Sequence, residues 1–184
     1  MPLNVSREIL QQNRILENIK SQSVKKLLSE FKKLGEEADA ASKKTEQTDD
    51  DKTVIAKWNT FVKNYNRPLK EGLYSDFANR DELSEIIRFK STAGEGTGDD
   101  KWTSFADYVQ RMKTDQKYIY YISGSDEKNL RESPLLEAYK NKGFEVLIAP
   151  DEVDDIVIPA LAKYKDFGIT GHKKALRLYK IKKR

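Results

Sequence analysis

Apolar side chains recur at three- and four-residue steps early in the chain: Leu16, Ile19, Val24, Leu27, Leu28, Phe31 and Leu34. That spacing is one stripe of a helix. Ser6 is a suitable N-cap and Gly35 a suitable stop, so a long helix is expected between them. Glu36 to Lys52 has no long apolar side chain and is expected as an exposed loop or frayed helix end. Thr48 or Asp49 can cap a second helix. From Thr53 to Tyr65 the helical pattern returns with Val54, Ile55, Trp58, Phe61 and Val62 on one broad face, and Trp58 and Phe61 are expected to pack rather than to form a ligand box. Pro68 is expected to end that helix or to start another. Leu69 to Phe77 is short, and a helix over Asp81 to Arg88 comes next, capped by Asn79 or Ser75.

The second half changes character. Gly94-Glu95-Gly96-Thr97-Gly98 is expected as a mobile surface loop, because two aspartates come after it and no Gly-Lys-Ser/Thr does. Thr103 or Ser104 caps a helix carrying Phe105, Tyr108, Val109 and Met112. Lys117 to Ile122 and Phe144 to Ala149 are runs of β-branched and aromatic residues and predict buried strands. Between them Pro134 to Lys142 predicts a helix ended by Gly143. Asp151 to Tyr164 predicts another, kinked or shortened at Pro159. Strand, helix, strand, helix implies a parallel pair with a right-handed crossover, with any ligand at the strand ends near Ser123-Gly124-Ser125 and Ala149-Pro150.

Composition narrows the chemistry. The 184 residues are 35% charged and 38% hydrophobic, compatible with a globular core. No apolar run is long enough to cross a membrane. The absence of cysteine excludes disulfides and thiol catalysis, and the single histidine, His172, argues against a multi-histidine metal site. The net charge of +4 has a local origin. Seven basic and no acidic residues lie between Gly168 and Arg184, leaving 27 basic against 30 acidic residues before them, a net of −3. The basic pI is therefore poor support for a nucleic-acid-binding body. The tail is expected as a disordered end; as a helix it would gather Leu176, Tyr179 and Ile181 among lysines and could bind an anionic surface.

Arg7 and Gln11 are four residues apart at the start of the first helix, on one face. A guanidinium and an amide there can donate to an anion, aided by the helix N-terminus, or can be solvated polar residues of a first turn. The run Leu3-Asn4-Val5-Ser6-Arg7-Glu8-Ile9-Leu10-Gln11-Gln12-Asn13 resembles a segment of the heat-shock protein 90 chaperone family, bacterial HtpG type. Further segments match in order: Phe61 to Gly72, Asn79 to Lys90, Tyr108 to Lys113, Gln116 to Gly124 and Gly143 to Leu147. The resemblance covers about nine-tenths of the chain, to about Phe167, and such ordered matches are more specific than one motif.

The resemblance implies the C-terminal part of that family's middle domain. The fold class is α/β: a long helix and small helical coil over residues 1–102, then a small three-layer α/β/α unit with a parallel sheet core over 103–167. Residues 168–184 are a basic tail unlike the family. Arg7 would contact the γ-phosphate of ATP and Gln11 would support it, while the ATP and magnesium are held by an N-terminal ATPase domain that this sequence lacks. No cofactor is expected on the chain itself. Clients are contacted in the family by an acidic pair with a large aromatic after it; here the stretch is Val153-Asp154-Asp155-Ile156, which carries Asp155 over and puts Ile156 where the aromatic would be. The implied partners are the N-terminal domain, client proteins and co-chaperones, with no nucleic acid or membrane. The implied setting is cytoplasmic, and the piece is expected to be monomeric and inactive alone. A stand-alone binder of nucleic acid or an anionic surface through the tail is the alternative. A small enzyme using Ser123 or Ser125 ranks last, since no base partner is evident.

Overall fold

The computed structural model describes residues 14–93 and 101–171. Two long helices come first, α1 (Arg14–Ser42) and α2 (Asp49–Ser75), packed along each other. A 3-10 turn (Phe77–Asn79) and α3 (Arg80–Ile86) complete the helical part. Strand β1 (Lys90–Ser91) then enters the sheet, ahead of α4 (Phe105–Arg111), β2 (Tyr118–Ser123), α5 (Glu127–Arg131), a 3-10 turn (Pro134–Leu136) and α6 (Glu137–Lys140). Strand β3 (Leu147–Ala149), α7 (Asp154–Leu161), β4 (Lys163–Tyr164) and β5 (Phe167–Gly171) end the described chain.

The expected stop at Gly35 is not a stop, and the helix runs on to Ser42. The reason lies in packing. A Cβ at Gly35 would come within 2.7 Å of an Arg88 guanidinium nitrogen and 2.9 Å of the Trp58 ring. Gly35, Ala38 and Ala41 are all buried, so α1 turns its small residues toward α2. Glu36 to Ser42 is thus packed helix rather than loop. The chain then turns, and Thr48 caps α2 in a reciprocal box with Asp51: Thr48 Oγ1 accepts from Asp51 N at 3.2 Å, and Thr48 N donates to Asp51 Oδ2 at 3.0 Å. Pro68 does not break α2 either. It is exposed, as is Asn64, so the carbonyl it deprives of a donor faces water.

Arg88 organises the helical part. Its NH1 donates to the carbonyls of Glu85, Ile86 and Ile87 at the end of α3, and NH2 donates to Asp39 at 2.8 Å. The guanidinium lies 4.8 Å from the Trp58 ring centre. The Asn66 amide brackets the Arg88 backbone, accepting from its N–H at 2.8 Å and donating to its carbonyl at 2.9 Å. Burial pushes the Asp39 carboxyl up, and the Arg88 charge opposes that rise. Phe61 stacks on Trp58 alongside and meets Phe31 at a tilt, as expected for a packing cluster.

The sheet order is β1-β3-β2-β5-β4. The three central strands are parallel, with Ser123 opposite Ala149 and Tyr120 opposite Thr170, while the two edge strands are antiparallel. Its two faces bury separate clusters. Ile119, Leu147 and Ala149 meet Val157, Ile158, Phe105 and Tyr108. Ile122, Val146 and Ile148 meet Leu130, Leu136 and Tyr139. The α/β/α layering arises from this alternation. The sheet also extends beyond the expected limits. Residues 90–91 and 167–171 belong to it, so positions 168–171 are strand and not tail. Gly168 and Gly171 suit β5 because a Cβ on either would stand 3.0 Å from a ring atom of Tyr118 or Tyr121. Gly143 ends the helical stretch before β3 with φ 63°, and α7 ends shortly after Pro159, with Ala162 as its C-cap. The glycine loop and the basic residues from His172 onward lie outside the described residues.

Gly35→Ala should destabilise the chain by about 1–3 kcal/mol in chemical denaturation, because overpacking against Trp58 and Arg88 exceeds the gain in helix propensity. Charge at the start of α2 makes a second difference. The Asp51 carboxyl is held at about 2, first by the Lys44 ammonium and then by its Thr48 hydrogen bonds, against an ordinary 3.8. A depressed carboxylate stabilises above its unfolded value and loses that contribution as pH falls through the folded one. Stability should therefore fall between about pH 4 and pH 2, and Asp51→Asn should flatten that part of the urea-midpoint profile.

Candidate functional site

The carboxyl ends of β2 and β3 lie side by side, as a parallel pair places them. Gly124 N donates to the Ala149 carbonyl at 3.2 Å, closing the edge. Three aspartates gather there. Lys70 Nζ, from α2, donates to Asp151 Oδ2 at 2.8 Å and to Asp154 Oδ2 at 2.9 Å. Asp154 Oδ1 is also 2.8 Å from Nζ, but no directed hydrogen bond reaches it, so charge alone holds that oxygen. The Lys70 side chain is 2% exposed and that of Asp154 0%. Burial raises the Asp154 carboxyl above its ordinary range, and Lys70 counters the rise. The ammonium also stands 4.6 Å over the Phe89 ring.

Helical geometry then sends the next two side chains outward. Asp154, Val157 and Ile158 are buried in α7, and Asp155 and Ile156 are exposed, Ile156 by 59%. Asp155 is oriented, since Oδ1 accepts from Ser123 Oγ at 2.5 Å. Of the residues singled out in sequence, Ser123, Asp155 and Ile156 thus meet at one edge. Ser123 is occupied as a donor to a carboxylate, which does not make it a nucleophile. Arg7 and Gln11 lie outside the described residues. Lys70 and Asp151 carried no expectation, and Asp154 was named only as a member of the client-contact stretch, with no role of its own. Asp154 had a signal nonetheless, because an acid in phase with Val157, Ile158 and Leu161 on an apolar stripe requires a buried partner.

The chain matches the Hsp90 protein family over residues 1–180. The chain belongs to the Hsp90 family. The match passes Phe167, where the resemblance read from the sequence stopped, so most of the basic end is Hsp90 sequence too. The chain is 61% identical over 175 residues to the chaperone protein HtpG of Treponema denticola, covering 95% of this chain and 25% of that protein. It is 54% identical over 167 residues to HtpG of Treponema pallidum, covering 91% and 24%. Among solved structures it is similar to the middle domain of a Plasmodium falciparum heat-shock protein, with a TM-score of 0.69 and 29% identity over 88% of this chain and 60% of that one. The chain thus spans about a quarter of the length of the curated Hsp90 relatives it matches, and its fold is that of an Hsp90 middle domain. Among the described residues no helix is long and apolar enough to cross a membrane, and no three His, Cys, Asp or Glu side chains are grouped to hold a metal ion.

Lys70→Met should destabilise the chain by about 3–5 kcal/mol at neutral pH, by stranding a buried carboxylate. Without Lys70 the folded value of Asp154 rises further above its unfolded one. A raised value gives stability that is present at low pH and lost as pH rises through it. The difference from the parent chain should therefore shrink from about pH 7 to about pH 4, and Lys70→Met with Asp154→Asn should recover part of the loss, as read from denaturation midpoints.

Proposed function

We propose that this chain acts as part of the middle domain of an ATP-dependent protein-folding chaperone. Arg7 and Gln11 act on the γ-phosphate of ATP held with magnesium by an N-terminal ATPase domain, and Asp155 and Ile156 form part of the surface that meets client proteins. The observation that carries this reading is the ordered match to Hsp90 proteins across residues 1–180, which includes the Arg7–Gln11 segment. The isolated chain hydrolyses no ATP. A positioned guanidinium would stabilise charge developing on the transferring phosphoryl group, with Gln11 holding it in place. The client surface is supported by the pairing of an outward apolar side chain, Ile156, with a carboxylate fixed by Ser123. The N-terminal domain is the further partner this role requires, and co-chaperones are a possible one.

The test is a chimaera in which this chain replaces the matching segment of full-length Treponema denticola HtpG. Arg7→Ala should lower the ATP hydrolysis rate roughly a hundredfold, about 3 kcal/mol, while ATP affinity changes far less. Arg7→Lys should rescue partly, since an ammonium keeps charge and loses the planar fork. Gln11→Ala should be milder than Arg7→Ala. Hydrolysis within a factor of two of the parent chimaera for Arg7→Ala would remove Arg7 from the mechanism. Separately, Asp155→Asn with Ile156→Ser should weaken binding of an unfolded test protein with the melting temperature unchanged; unchanged binding would remove the client assignment.

A further inference from the structure

The outward face of α7 begins before the helix does. Asp154 N donates to the Asp151 carbonyl at 2.9 Å, so the chain already turns in the helical sense at Glu152. At about 100° per residue, Glu152, Asp155, Ile156 and Pro159 fall in one arc, on the side away from Asp154, Val157 and Ile158. All four residues of that arc are exposed, and the other three are buried. The arc thus carries two carboxylates beside two apolar side chains. Lys70, the ammonium behind α7, is taken by Asp151 and Asp154. Asp155 is held by Ser123, but a neutral hydroxyl answers one lone pair and leaves the charge and the second oxygen. Among the described residues no lysine or arginine forms an ion pair with Glu152 or Asp155.

We infer that the client segments met by this face pair an aliphatic side chain with a lysine or arginine a few residues away. The inference rests on the client reading of Asp155 and Ile156 and adds the chemistry of the partner. Ile156 is 59% exposed, and an apolar side chain laid on it removes that area from water. A wholly apolar segment would also strip water from Glu152 and Asp155 without replacing its hydrogen bonds, which opposes binding. A segment rich in Asp, Glu or phosphate would be repelled by both carboxylates. A basic segment with no apolar side chain would leave Ile156 and Pro159 in water. A cation within a turn of an aliphatic group answers both demands. The two carboxylates are solvated, so they set selectivity among segments more than strength.

The probes are short peptides capped at both ends: Leu-Val-Leu flanked by lysines, the same core flanked by glutamates, and Ser-Thr-Ser flanked by lysines. Each is titrated into the isotopically labelled chain to about 5 mM, and the backbone amide signals of Asp155 and Ile156 are followed. The lysine–aliphatic peptide should shift both signals and bind roughly tenfold more tightly than its glutamate counterpart at about 20 mM salt, the ratio falling to about two at about 0.5 M. The lysine peptide without aliphatic residues should bind roughly fivefold more weakly. Asp155→Asn with Glu152→Gln should bring the two aliphatic peptides within about twofold of each other, since both replacements keep the shape and remove the charge. Ile156→Ser should weaken both aliphatic peptides and leave their ratio unchanged. Equal affinity for the two aliphatic peptides would overturn the inference and leave the client reading standing, provided both shift Ile156. Equal affinity for the two lysine peptides would also overturn it. Failure of every peptide to move Ile156 would remove the client surface itself, and the inference with it.

Discussion

A lysine ammonium buried under a sheet must be answered by a carboxylate, and Lys70 is answered by two. Taking one such charge out of water costs several kcal/mol unless its partner is close and itself hydrogen-bonded. That requirement ties α2, which belongs to the helical part, to the first turn of α7, which belongs to the α/β part. It also sets the rotation of α7. With Asp154 fixed inward, a helix advancing about 100° per residue must turn Asp155 and Ile156 toward solvent. Ser123, at the end of β2, then takes Asp155 by hydrogen bond. The surface proposed to meet clients is therefore oriented by an ion pair that is itself hidden from them.

Arg88 makes a comparable demand on the same face of α2, nearer its N-terminus. Its guanidinium closes the end of α3, reaches Asp39 on α1 and lies against Trp58. Only a glycine at position 35 leaves room for it. The stripe Trp58, Val62, Asn66, Lys70 runs at four-residue steps along the buried side of α2. Its apolar members fill the core, and its polar members fix Arg88 and Asp154. One helix face thus sets the register of both halves.

This face explains what could be read from the sequence and what could not. Cluster residues such as Trp58 and Phe61, the strands around Ile119 and Leu147, and the caps at Thr48 and Ser104 were legible because each rests on local spacing or local hydrogen bonding. The continuation of α1 through Gly35 and of α2 through Pro68 was not. Both residues disfavour helices by local propensity, and both are overruled by tertiary context: close approach at Gly35, open water at Pro68. Ending α2 at Pro68 also hid Lys70, which is in phase with Asn66 only if the helix continues. The short strands β1, β4 and β5 offer two to five residues each, too few for alternation to show. They exist because β2 and β3 provide edges to pair with.

The same packing leaves the first described turns of α1 outside the core. Along α1 the first partly buried apolar residue is Val24 and the first buried one Leu28, while Ile15, Leu16 and Ile19 are exposed. From Arg14 to Val24 the helix rises about 15 Å without joining the core, at about 1.5 Å per residue. Residues N-terminal to that stretch are further still from the Arg88 and Lys70 pairs along the chain. Changes at those buried pairs act on the fold as a whole, and changes at the start of α1 leave the core contacts intact. The first turns of α1, from Arg14 to Ser23, are thus the part of the helix whose charges stay outside the core's electrostatics.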